Sequence, residues 1–97
     1  MLTEDEKRTA HEAARILTSP LFREVFEELD ARYVENWRGA KTQDDRERCW
    51  QRQAALADVQ RELLGMVNDA NCKAGGKDEG IKSALERAKR SFSWRKK

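Results

Sequence analysis

Of the side chains able to act as nucleophile, general base or metal ligand, the chain carries one histidine, His11, and two cysteines, Cys49 and Cys72. The cysteines lie 23 positions apart with no CxxC spacing, which fits neither a zinc site nor a disulfide framework. A single histidine leaves no serine, threonine or cysteine with a base that a third group could orient. Glu27 and Glu28, like Asp44 and Asp45, are sequence neighbours, and neighbours point to different sides of a helix. Gly75, Gly76 and Lys77 lack the preceding strand of a phosphate loop. The expectation is a protein that is not an enzyme. It has no catalytic residues, no metal, no cofactor and no small-molecule substrate, and its two thiols are reduced and cytosolic.

Charge combined with aromatic rings is the remaining chemistry. Residues 81–97 carry +6, the eighty before them −4, and the whole chain +2. Lys82, Lys89, Arg90, Arg95, Lys96 and Lys97 are interleaved with Phe92 and Trp94. Such a segment can seek phosphates and stack on bases, or anchor in an acidic groove of a protein partner. These eight residues are the expected partner or nucleic-acid contacts.

The elements that must position these groups follow from length and periodicity. A chain of 97 residues allows one domain, and 39% charged against 38% hydrophobic residues leaves apolar stripes rather than an all-round core. No run of 18 apolar residues exists for a membrane span, and the acidic start from Met1 to Glu6 lacks the apolar stretch of a signal peptide. Thr3 and Glu6 have capping-box spacing ahead of Ala10, Ala13, Ala14 and Leu17. Ser19-Pro20 ends that helix and starts a second, in which Phe22, Val25, Phe26, Leu29, Tyr33 and Trp37 recur every three or four residues. Gly39 is its expected C-cap. Thr42 caps a third helix over 43–71, with Cys49, Leu56, Leu63 and Ala70 at heptad spacing.

The short turn between the second and third helices enforces an antiparallel hairpin. Phe26 then faces Leu56, Tyr33 faces Cys49, and the first helix covers the far half of the third. The fold class is all-α: a helical hairpin with a Pro-kinked N-terminal arm, giving three main helices, and a short C-terminal helix. The expected division is a hairpin domain over 1–72, a Gly-rich flexible linker over 73–80 and a basic amphipathic tail over 81–97. Trp37 and Trp50 are expected to clamp the turn as core. Trp50, Leu56, Ala57, Leu63, Leu64 and Val67 present more apolar surface than two shorter helices can cover. They are therefore the expected interface of a homo-oligomer or partner complex.

The run from Ala14-Arg15-Ile16-Leu17 to Pro20-Leu21-Phe22, then Phe26, Leu29, Tyr33 and Trp37, leads to Arg46-Glu47-Arg48-Cys49-Trp50 and on to Leu56, Val59 and Leu63. Over residues 10–70 this pattern resembles small helical-hairpin accessory and morphogenesis proteins of tailed bacteriophages. The resemblance implies a virion-assembly or structural accessory protein, in the virion or the host cytoplasm, without assigning functional residues. The expected partners are a second copy of the chain and, through the basic tail, a phage structural protein or DNA. Two alternatives stand beside it. One is a nucleic-acid-binding module or small regulator using that tail. The other is an inhibitor of a host complex using the acidic face of Glu24, Glu27, Glu28, Asp30 and Glu35.

Overall fold

The structure is a computed structural model that describes residues 2–92. Four helices follow one another: α1 (Glu4–Thr18), α2 (Pro20–Gly39), α3 (Gln43–Lys73) and α4 (Glu79–Phe92). The expected all-α class holds, and the termini of the helices follow from side-chain chemistry. Thr3 forms the full capping box, accepting from the Glu6 amide at 3.1 Å while its own amide donates to Glu6 Oε1 at 2.9 Å. Ser19 ends α1 and caps α2: its amide donates to the Ile16 carbonyl, and its hydroxyl accepts from the Phe22 amide. Thr42 accepts from the Asp45 amide at 3.1 Å. Gly39 is not a cap; α2 runs through it, and Ala40 takes the cap in extended backbone.

At 31 residues, α3 is about 46 Å long, and it sets the shape of the molecule. The chain measures 52 × 22 × 22 Å with a radius of gyration of 16.1 Å. A compact domain of this length would have a radius of gyration of about 12.5 Å. The rod has two unlike ends. Along the N-terminal half of α3 only α2 packs, making a two-helix arm whose fully buried positions are Phe26, Cys49 and Gln60. Along its C-terminal half α1 and α4 both pack on α3 and on each other, making a three-helix bundle.

The bundle corrects the expected division into domain, linker and tail. Ile81, Ala84 and Ala88 are 0% exposed and Leu85 is 5% exposed, so α4 belongs to the core. Ala84 and Leu85 join Ala13, Ala14 and Val67, while Ile81 joins Ala10 and Ala70. The cause lies in α1. Its stripe of Ala10, Ala13 and Ala14 has no bulk, so two helix backbones approach it closely, and α4 fills the second contact. Residues 73–80 are not a free linker either. Lys73 is the last helical residue of α3, and Gly75 and Gly76 adopt φ of 66° and 71°. The Gly76 amide returns to the Asn71 carbonyl and the Gly75 amide to the Cys72 carbonyl, each at 3.0 Å. That double closure is a Schellman turn, which needs the left-handed conformation that glycine adopts without strain. Asp78 then caps α4, accepting from the Ile81 amide at 3.1 Å. At the far end of α4 the buried Ser91 hydroxyl donates to the Leu17 carbonyl at 2.6 Å, satisfying a terminal acceptor of α1.

An ion pair ties the start of α1 to the end of α3: Lys73 Nζ donates to Glu6 Oε2. That bond, followed by the one from the Thr3 amide, lowers the Glu6 carboxyl from 4.5 to about 2, and Lys73 is raised in turn. The folded state therefore binds fewer protons than the unfolded chain in the acid range. The pair's contribution is complete above about pH 5 and disappears as pH falls through the folded value. Melting temperature is expected to fall on acidification from pH 5 toward 2, and Glu6→Gln to flatten that limb, as followed by circular dichroism.

Candidate functional site

The bundle changes which apolar residues are available to a partner. Of the six expected interface residues, Val67 is 0% exposed inside the bundle, and Leu63 and Leu64 pack against the same cluster. Leu56 and Ala57 are half-buried along the arm. Trp50 alone is open, at 64% exposure. The surplus surface assigned to the whole length of α3 is thus covered at its C-terminal half, because α4 supplies the missing third helix.

Among the described residues the exposed large apolar side chains are Leu21, Val25, Trp37, Trp50, Val59 and Met66, and each belongs to α2 or α3. They divide between the two flanks of the hairpin. Leu21 and Val25 each precede an inward ring, Phe22 or Phe26; Val59 precedes buried Gln60, and Met66 precedes buried Val67. In an antiparallel pair the residue before an inward position points to the same side on both helices, so these four share one flank. Trp50 follows buried Cys49 and therefore faces the other flank. There it lines an open groove of about 480 Å³ with Trp37, Gln43, Arg46 and Glu47. Trp37 and Trp50 were expected to be core. They are exposed because a two-helix tip has nothing to lay across them, and Arg46 lines the same groove. Leu21, Val59 and Met66 are exposed apolar residues that the expected set did not include. Their signal was position one residue ahead of an inward side chain.

The basic contact residues separate at the end of α4. Lys82, Lys89 and Arg90 are exposed on its outer face, and Arg87 joins them. Phe92 is the last residue of α4, while Trp94, Arg95, Lys96 and Lys97 lie outside the described residues. His11 is exposed on α1, its ring beside Gly80 at the start of α4. Cys49 is buried and Cys72 exposed, both as free thiols. Among the described residues no group of three histidine, cysteine or carboxylate side chains could hold a metal ion, and no helix is long and apolar enough to cross a membrane. A second groove of about 290 Å³ lies between α1 and α3, lined by Leu2, Met66 and Ala70 together with Asp5, Asp69 and Lys73.

The architecture defines an all-α protein built on one long central helix. No protein-family model, curated protein or solved structure matches the chain.

Proposed function

We propose that this chain is a non-enzymatic protein that works by binding, as a self-associating assembly component of the kind its residues 10–70 resemble in tailed bacteriophages. Among the described residues, the six exposed large apolar side chains all lie on α2 and α3, and this carries the reading. A two-helix layer is half of a four-helix bundle, and its open flank gains most by burial against another protein. The exposed bases of α4 face away from that flank's apolar residues and suit docking on an acidic capsid protein or on packaged DNA. Sedimentation equilibrium on the full chain is expected to give a species of at least twice the 11.3 kDa protomer mass. A protomer mass maintained at every attainable concentration overturns self-association.

A nucleic-acid-binding role is the second reading, favoured by Lys82, Arg87 and Lys89 standing exposed together on α4. It predicts that affinity for duplex DNA falls steeply as salt rises. Binding that does not respond to salt excludes it.

A further inference from the structure

We infer that two copies of this chain pack antiparallel, side by side, across the flank of Leu21, Val25, Val59 and Met66, with a two-fold axis beside Val59. The inference rests on the self-association reading above and names the partner and its orientation.

Two heptad columns of α3 run along this flank. One is Arg52, Val59 and Met66; the other is Arg48, Ala55, Glu62 and Asp69. All seven are exposed. Their order is self-complementary: bases stand toward the arm tip, apolar and small residues at the centre, acids toward the bundle. Val59 is eleven residues from Arg48 and ten from Asp69. A two-fold axis beside Val59 therefore sets Arg48 of one copy opposite Asp69 of the other, and Ala55 opposite Glu62. Arg52 then lies between the second copy's Glu62 and Asp69. Within one chain Arg52 and Glu62 form no ion pair among the described residues, and Arg48 reaches Asp45 only at 3.7 Å. Both signs are therefore open to a partner. A parallel pair would instead set Arg48 against Arg48, Glu62 against Glu62 and Asp69 against Asp69, so the charge order selects one orientation by repulsion as well as attraction.

The shape of the rod agrees. Each copy lays its thin arm against the other's thicker bundle end, so the overlap runs past Val59 in both directions. Beyond Met66 the flank continues into the groove lined by Leu2, Asp69 and Ala70, with Lys73 also in its wall. An isologous contact of this kind closes after two copies and leaves no sticky end. It also leaves the Trp37–Trp50 groove on the opposite flank of each copy for a different contact.

The test uses full-length chain carrying Cys72→Ser, which removes the exposed native thiol. Arg48→Cys and Asp69→Cys proteins are made separately, mixed and oxidised. The expected product is the mixed 48–69 disulfide, in at least about tenfold excess over either homodisulfide. Val59→Glu, at a half-exposed position that leaves the fold intact, is expected to weaken dimerisation by about a hundredfold, because two carboxylates would meet at the axis. Homodisulfides in excess, or a dimer that neither forms the mixed disulfide nor responds to Val59→Glu, overturn the orientation while self-association stands. A protomer mass for the unmodified chain overturns both.

Discussion

Ile81→Asp is expected to abolish cooperative unfolding of the bundle, with the loss read as a flattened thermal melt in far-ultraviolet circular dichroism. Ile81 is fully buried against Ala10 and Ala70, in the first turn of α4. Truncating such a side chain to alanine costs about 2–5 kcal/mol. A carboxylate in its place adds the penalty of a buried charge with no partner, and folding a domain of this size yields only about 5–15 kcal/mol in all. Ile81→Ala is accordingly expected to lower stability by an intermediate amount. Lys82→Asp, one residue on and exposed, should change it by no more than about 0.5 kcal/mol. An Ile81→Asp chain that melts like the parent would mean that α4 is dispensable, as the composition of residues 73–80 suggests on its face.

The contrast between that composition and the observed turn shows where the sequence was readable. Signals at the helix N-termini hold, while the C-cap expected at Gly39 falls on Ala40. Thr3, Ser19-Pro20 and Thr42 marked three helix starts, because capping is decided by side chains within four residues of the end. The arm followed from the same logic, since a short polar connection leaves an antiparallel pair little choice. The place of α4 was not local. Three glycines and two lysines over 73–80 have the composition of a linker, and only a hydrogen-bond pattern reaching back to Asn71 and Cys72 makes them a tight turn. The alanine stripe of α1 was visible, but small residues do not announce how many neighbours they admit. Once α4 occupied that space, Val67, Leu63 and Leu64 ceased to be candidates for a partner. The open flank moved toward Val59 and Leu21. Asp78 was a legible cap three residues ahead of Ile81, obscured by the glycines on either side.

Gln60→Met is expected to stabilise the chain by about 1–2 kcal/mol. Gln60 is 2% exposed in the middle of the arm, and its Oε1 accepts no hydrogen bond; Nε of Arg23, on the facing helix, is likewise buried without an acceptor. A buried acceptor left unmade costs about 1–3 kcal/mol, and methionine matches the length of glutamine without a polar atom. For a domain of this length each kcal/mol moves the melting temperature by about 4–8 °C, so the increase is directly measurable. An amide this costly in a core that otherwise fully buries only Phe26 and Cys49 along the arm acts against slippage. A one-turn slide of α2 along α3 would carry Gln60 from the level of Phe22 and Arg23 toward Phe26, away from the polar side chain that faces it. The methionine variant is therefore expected to gain stability while losing uniqueness of packing, seen as broadened amide resonances from arm residues. A lower melting temperature for Gln60→Met would show instead that the packing of the amide outweighs its unmet acceptor, and that the arm is held by this residue rather than merely aligned by it.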